Sequence, residues 1–339
     1  MIRAFSTGLI AAVALVGVGA APSYAGPAAG GVVICDVNGD EISDIVFEGT
    51  LSGTPNLVAI WTTANIAIQT GGGFANAAGY DVHGCGKFDA GATEDLVMYN
   101  ASTGDVTFFY MNGLAVIGGS SLGNIGANQP WIVTDLNNNG SADIITFNPA
   151  TSDITAILVT NGLYAGGGLI GTPVGWTPVT AGDFNGDGQK DLLLVNGTTQ
   201  QFAIWLLNNL QIASGTGDAL PAGFSFLENS AGIDGNLTDD IGLRDNAGNN
   251  YWWLVNFDGP GNTFQISGTV VLGNTGTNTT VAVANLNNDT DPDVLLQDPA
   301  NGNVSGFVLN AGAFASGGFI GGPLKAAGID FDVVNNGPN

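Results

Sequence analysis

The stretch Asp183-Phe184-Asn185-Gly186-Asp187-Gly188-Gln189-Lys190-Asp191, followed by the apolar residues 192–195, decides how this chain folds. Oxygen-bearing side chains stand at positions 1, 3, 5 and 9, and the backbone carbonyl at position 7 completes a donor set that suits calcium. Glycines at positions 4 and 6 permit the sharp turn that brings these oxygens together. An EF-hand would need a glutamate at position 12, but that position is Leu194. The stretch is therefore interpreted as a calcium loop between two strands.

The same nine-residue frame recurs five more times, beginning near residues 36, 87, 135, 233 and 285. Four frames keep their oxygen donors and predict calcium (Ca²⁺) sites. The predicted ligands are Asp36, Asn38, Asp40, Ile42 and Asp44; Asp135, Asn137, Asn139, Ser141 and Asp143; Asp183, Asn185, Asp187, Gln189 and Asp191; and Asn285, Asn287, Asp289, Asp291 and Asp293. The frame at Lys87 has an ammonium at position 1, and the frame at Ile233 reads as one residue short, so both are expected to stay empty.

Each loop is followed by a strand, a short polar turn, a second strand with a bulky residue and a glycine-rich outer strand. A repeat of about 50 residues with four strands is typical of one propeller blade. Helix formers are scarce, so the fold class is all-β. Six frames predict six blades, and a seventh, incomplete blade is the alternative. The terminal residues 328–334 are expected to complete a blade that also uses N-terminal strands, which closes the ring.

These repeats resemble the FG-GAP or VCBS repeats of secreted bacterial β-propellers, which are similar to the calcium-bearing blades of integrin α-subunits. The resemblance covers about residues 31–335. It implies a propeller with calcium in loops at the blade edges. It does not imply one activity, because such propellers serve as adhesins, lectins, scaffolds and enzyme domains.

Residues 1–25 are expected to be a secretory signal peptide, with Arg3 before an apolar core and Ser23-Tyr24-Ala25 at the cleavage site. Residues 26–339 then form one propeller domain that is secreted or, alternatively, periplasmic. Cys35 and Cys85 are the only cysteines, and an even number in an exported chain favours a disulfide over two buried thiols. No membrane insertion is expected.

The net charge of −24, with 5 basic residues, argues against nucleic acid and anionic membrane surfaces as partners. Trp61, Trp205 and Trp253 share one place in three repeats and are expected to pack between blades. Trp131, Trp176 and Trp252 are instead candidates for an exposed platform on which a ligand stacks.

Signatures of common hydrolases and nucleotide-binding proteins are missing from the sequence, and the single histidine, His83, is interpreted as structural. No catalytic residue is therefore assigned. The sequence favours a non-catalytic binding or adhesion module for a glycan or a surface protein. A polysaccharide lyase or hydrolase, with His83, Arg244 or Lys190 beside a free carboxylate, is the alternative. A structural envelope protein is a third.

Overall fold

The computed structural model describes residues 35–52, 54–258, 263–289 and 291–333. The predicted signal peptide, residues 1–25, lies outside these ranges. The described part of the chain consists of strands and turns without helices. The strand after each loop is a continuous apolar run, such as Asp95–Asn100, which is buried along its whole length. Such a run needs cover on both faces, and stacked sheets supply it.

The strands alternate with turns along the whole described chain. They are β1 Ile45–Leu51, β2 Thr54–Ala64, β3 Ala67–Ala75, β4 Asp81–Gly86, β5 Asp95–Asn100, β6 Asp105–Asn112, β7 Ala115–Asn124, β8 Gln129–Thr134, β9 Asp143–Asn148, β10 Asp153–Thr160, β11 Leu163–Gly171, β12 Thr177–Gly182, β13 Asp191–Asn196, β14 Gln201–Asn208, β15 Gln211–Ala219, β16 Phe224–Ala231, β17 Asp240–Asp245, β18 Asn249–Asp258, β19 Thr263–Asn274, β20 Thr279–Ala284, β21 Asp293–Gln297, β22 Val304–Asn310, β23 Ala313–Gly321, β24 Lys325–Ala326 and β25 Ile329–Val333.

These strands form six antiparallel sheets, which are the six blades of a β-propeller. Blade 1 holds β25, β1, β2 and β3, with the short β24 at its edge. Blades 2 to 6 follow as β4–β7, β8–β11, β12–β15, β16–β19 and β20–β23. The prediction of an all-β, six-bladed propeller is confirmed.

Blade 1 is built from both ends of the chain, as predicted. β25 pairs with β1, so that Phe331 lies opposite Gly49. The carbonyl of Cys35 accepts the Asp44 N–H at 2.5 Å, which continues the pairing beside β1 toward the loop. The ring closes because the Ser43 N–H donates to the Asn285 carbonyl of blade 6 at 2.8 Å.

The core of the described residues lies in six apolar clusters, one between each pair of neighbouring blades. Trp61 is 2% exposed and packs between blades 1 and 6. Trp205 and Trp253 pack at the seams of blade 4 with blade 3 and of blade 5 with blade 4. Each of these tryptophans therefore lies at the blade seam that its sequence position indicates.

Trp252 corrects one expectation from the sequence. Its neighbour Trp253 faces blade 4, so Trp252 points to the opposite face of β18, as a strand requires. That face is not open to solvent, because it packs against blade 6 with Val294 and Leu296. Trp252 is 0% exposed, and a ligand has no access to its ring.

Candidate functional site

In every blade, the aspartate at position 9 links its own loop to the third strand of the same blade by hydrogen bonds. One of its carboxylate oxygens accepts the position 2 N–H of its own loop, and the other accepts an N–H of the blade's third strand, at 2.8 to 3.1 Å. The six aspartates are Asp44, Asp95, Asp143, Asp191, Asp240 and Asp293, and each is 0% exposed. Because the two frames with incomplete donor sets keep this aspartate, it has a role that does not require a metal.

The loop from Asp183 to Asp191 shows how the other oxygens are arranged. Asp183 Oδ1 accepts the N–H of Gly186 at 2.7 Å and of Asp187 at 3.1 Å, and its Oδ2 accepts the N–H of Gly188 at 2.8 Å. Asn185 Oδ1 accepts the Asp187 N–H at 2.9 Å. The loop at Asp36 repeats these bonds, and the loop at Asp135 repeats those from the N–H groups of positions 5 and 6. The side chains at positions 1 and 3 therefore point into the turn, where their oxygens converge.

The fifth loop is complete in length, which corrects the reading of its frame. The Ile233 N–H donates to Asp240 Oδ2 at 2.8 Å, and in the other blades this bond comes from position 2. Gly235 has φ +76°, as Gly186 has +73° at position 4. The frame therefore begins at Gly232, and its first position has no side chain.

Neighbouring loops are joined in a row along one face of the ring. The position 8 N–H donates to the position 1 carbonyl of the preceding blade at four junctions, from Ser43 to Asn285, Glu94 to Asp36, Ala142 to Lys87 and Asp239 to Asp183, at 2.7 to 2.8 Å. At three of these junctions the position 8 side chain accepts the position 1 N–H in return: Glu94 from Asp36, Asp239 from Asp183 and Ser43 from Asn285. Sequence reasoning missed this position because its residue type differs from blade to blade.

Burial and mutual repulsion of the carboxylates characterise the loops with the most acidic residues. Burial, reinforced by the charges of Asp40 and Asp36, raises the pKa of Asp44 to about 8. Burial and the charges of Asp187 and Asp183 raise the pKa of Asp191 to about 7. A bound cation would relieve this repulsion, and the oxygen donors have the hardness that calcium prefers.

In the conformation described, the loop oxygens are directed at backbone amides. Among the described residues, no group of three or more acidic, histidine or cysteine side chains is arranged to hold a metal ion. A carboxylate oxygen that accepts one N–H keeps a second lone pair, and Asp183 Oδ2 has this free capacity. The donor types of these loops thus suit calcium, although the loop oxygens are directed at backbone amides in this conformation.

The two other stacking candidates lie in the same part of the ring. Trp131 is half-buried, its Nε1 donates to the Pro178 carbonyl at 2.8 Å, and its ring meets the edge of Phe147. Trp176 is also half-buried, but it lines a cleft together with Trp205. Among the described residues, Trp176 is thus a candidate that lines a cleft.

The residues of the enzyme alternative lie in different blades. His83 Nδ1 contacts the Pro130 carbonyl at 3.2 Å, and burial lowers the pKa of its ring. Lys190 forms an ion pair with Asp239 at 3.1 Å. The Arg244 guanidinium donates to the carbonyls of Asn278 and Gly276, and its hydrogen bonds hold a turn. These three side chains do not form one site.

Cys35 and Cys85 are joined by a disulfide with a Cα–Cα distance of 5.4 Å. The bond connects the start of blade 1 to the inner strand of blade 2. Within the described ranges, no helix has the length and apolar character to cross a membrane.

Comparison with known proteins gives one family match. Residues 135–194 match the model of the FG-GAP-like repeat, and this segment runs from the third loop into the strand after the fourth. None of the curated proteins matches the sequence.

Several solved structures are similar to this chain. The Tc holotoxin pore of Photorhabdus luminescens is 12% identical, with a TM-score of 0.49, over 82% of this chain and 14% of the toxin chain. A protein of unknown function from Bacteroides caccae is 12% identical, with a TM-score of 0.46, over 86% of this chain and 98% of its own. YCF48 from Cyanidioschyzon merolae is 13% identical, with a TM-score of 0.44, over 84% and 86% of the two chains. This chain thus spans a small part of the toxin chain, and its residues 135–194 carry an FG-GAP-like repeat within a six-bladed β-propeller.

Proposed function

We propose that this protein is an exported, non-catalytic propeller that binds a glycan or a surface protein, with calcium holding its loop face rigid. The observation that carries the proposal is the row of loops, one from each blade, on one face of the ring, with hydrogen bonds between neighbouring loops at four junctions. Loops that a scaffold presents together on one face suit a binding surface. The disulfide and the signal-like residues 1–25 support an oxidising compartment outside the cytoplasm.

Calcium would be held by positions 1, 3, 5 and 9 and the position 7 carbonyl of the four loops with complete donor sets. The loops at Asp36 and Asp183 have three carboxylates each and are expected to bind more tightly than those at Asp135 and Asn285, which have two each. When bound, the ion would supply positive charge that offsets the carboxylate repulsion. The loop residues themselves would orient the turn and fix the ends of the strands.

Calorimetric titration of the chelator-treated protein with calcium tests this proposal. Calcium at a hundredfold excess over Kd would stabilise the fold by about 2.7 kcal/mol for each site. Asp187→Ala is expected to remove one site, whereas the matched variant Asp89→Ala, in a frame with lysine at position 1, is expected to leave calcium uptake unchanged. If no calcium is taken up and the melting curve is indifferent to EDTA, calcium is removed from the proposal.

A glycan array probed with and without EDTA tests the binding role separately. Binding that weakens in EDTA would place the ligand on the loop face. Binding that persists in EDTA would place it elsewhere on the ring. If neither a glycan array nor a panel of surface proteins retains the full chain, the proposed binding role is wrong.

A further inference from the structure

A cleft of about 370 Å³ opens beside blade 4. Its walls include the rings of Trp176 and Trp205 and the polar side chains of Gln201, Thr216 and Asp218. This volume lies within the range of sites that bind small molecules, and the mixture of aromatic and polar groups is typical of them.

The direction of the strands places one end of the cleft at the end of blade 4 opposite its metal loop. β12 runs from Trp176 toward the loop at Asp183, and β13 returns from the loop to the turn before Gln201. β15 runs back toward Asp218 at that same end. Trp176, Gln201 and Asp218 therefore lie at the end of blade 4 away from the metal loop, whereas Trp205 pairs with Leu192, beside that loop. No residue that lines the cleft belongs to the loop of residues 183–191.

Small residues keep the Trp205 ring open to the cleft. Gly215 lies directly opposite Trp205 in the neighbouring strand, and a Cβ at Gly215 would lie 3.3 Å from Cδ1 of the indole. The far edge of the ring packs near Gly171 of blade 3. Trp205 therefore has one end fixed in the seam and another part of its surface facing the cleft.

Trp176 forms the second aromatic wall, at a turn position that is also aromatic in blade 2, with Tyr80, and in blade 5, with Phe224. It follows the turn that leads into β12, where the backbone N–H of Trp176 donates to the Pro173 carbonyl at 2.9 Å. The corresponding turns before blades 3 and 6 end in Asn128 and Asn278. Those blades thus have an amide at the place where blade 4 has an indole.

The polar groups of the cleft have hydrogen-bonding capacity left for a ligand. Among the residues that the structure describes, no acceptor is bound to the indole N–H of Trp176 or Trp205. Asp218 Oδ1 accepts the Ala219 N–H at 2.7 Å, and its Oδ2 is left for another donor. Gln201 and Asp218 are exposed. The cleft thus combines two flat apolar walls with donors and an acceptor at its rim.

We propose that this cleft binds a neutral saccharide. The apolar face of a pyranose ring suits an indole, and its hydroxyl groups both donate and accept, as Asp218 and the two indole N–H groups require. An anionic sugar would be repelled by Asp218 and by a chain with a net charge of −24. A proline-rich peptide also stacks on tryptophan, but proline has no N–H to donate to Asp218. The proposal rests on the proposed function in taking a glycan as the ligand, and it does not depend on the calcium loops.

The test uses the full chain and a panel of neutral hexasaccharides, namely cellohexaose, chitohexaose, laminarihexaose and maltohexaose, with hexagalacturonate as the anionic comparison. Binding is followed by tryptophan fluorescence and by calorimetry, in calcium and in EDTA. At least one neutral oligosaccharide is expected to bind with equal Kd in both conditions. Hexagalacturonate is expected not to bind. Asp218→Ala and Gln201→Ala change exposed side chains and should keep the fold, and Trp176→Ala removes one wall.

Trp176→Ala is expected to weaken binding by about tenfold or more, as for an aromatic anchor, and Asp218→Ala by several-fold. Tyr164→Ala, an exposed aromatic residue on β11 outside the cleft, is the matched control and should not change Kd. Wild-type affinity in both the Trp176 and Asp218 variants would overturn the cleft proposal, as would binding of a polyproline peptide in place of sugars. Glycan binding that is lost in EDTA but unchanged in these variants would overturn the cleft and leave the proposed function standing.

Discussion

Replacing Asp95 with alanine tests the claim that the position 9 aspartates stabilise each blade without a metal, by linking its loop to its third strand. Asp95 belongs to the frame that begins with Lys87, so its loss does not remove a predicted calcium site. Its carboxylate accepts the N–H of Phe88 at 3.1 Å, of Asp89 at 3.1 Å and of Met111 at 2.9 Å. Phe88 and Met111 are 0% and 1% exposed, so water cannot replace the carboxylate there.

The magnitude follows from the amides left without an acceptor. Each buried, unsatisfied group costs about 1–3 kcal/mol, so the Phe88 and Met111 amides together cost about 2–6 kcal/mol. Burial also disfavours the carboxylate itself and raises the pKa of Asp95 to about 6, so part of this cost is offset when the side chain is removed. We expect Asp95→Ala to lower the free energy of unfolding by about 2–4 kcal/mol.

Urea denaturation in EDTA, followed by circular dichroism, measures this change. Asp89→Ala is the control, because the Asp89 side chain accepts a single loop N–H, from Gly91, and its loss is expected to cost less than about 1 kcal/mol. A loss below about 1 kcal/mol for Asp95→Ala, or a loss seen only when calcium is present, would refute the reasoning. The buried amides of Phe88 and Met111 would then not depend on the Asp95 carboxylate.

Three further predictions concern other parts of the ring. Reduction of the Cys35–Cys85 disulfide, which spans 50 residues, should lower the free energy of unfolding by up to about 4 kcal/mol, and thiol titration of the denatured, unreduced protein should find no free thiol. Burial raises the pKa of Glu48 to about 7, so the folded state holds this proton more tightly than the unfolded state, and the stabilisation present below about pH 4.3 is lost as the pH rises through 7. Glu48→Gln should therefore reduce the fall in melting temperature between pH 5 and 8 without removing it, because Asp44 and Asp191 also have raised pKa values in this range; an unchanged slope would contradict this. Gly232→Asp adds the missing position 1 carboxylate of the fifth loop and should give a new calcium-dependent rise in melting temperature, while the same rise from Ile233→Asp would show that the corrected frame is wrong.

The repeat was accessible from sequence because a nine-residue loop with fixed glycines and oxygens is a local pattern. Its spacing predicts the number of blades, and the terminal segment predicts closure. The frame at the fifth loop was misread because Gly232 carries no oxygen to mark its first position. The hydrogen bond between Ile233 and Asp240 and the positive φ of Gly235 identify the register.

Two features depend on which blades become neighbours, and local patterns carry little information about that. The period of a strand places Trp252 opposite Trp253, but it does not reveal that both faces of a blade are covered. The bond between Glu94 and Asp36 joins residues 58 apart in the chain. The cleft beside Trp176 likewise needs two indoles from separate segments of blade 4, and the sequence indicated just one of these two as a stacking candidate.

The pairing of β25 with β1 in blade 1 also determines when the ring can close during synthesis. Synthesis begins at the N-terminus, so β1 exists long before β25 can pair with it. Until residues 329–333 emerge, the nascent ring has an open strand edge that another chain can occupy. The Cys35–Cys85 bond needs just the first two blades and can hold this edge beside its neighbour in the meantime. A version truncated before residue 329 should therefore associate with other molecules through the open edge of β1, and residues 329–333 would serve as the latch that keeps each ring separate.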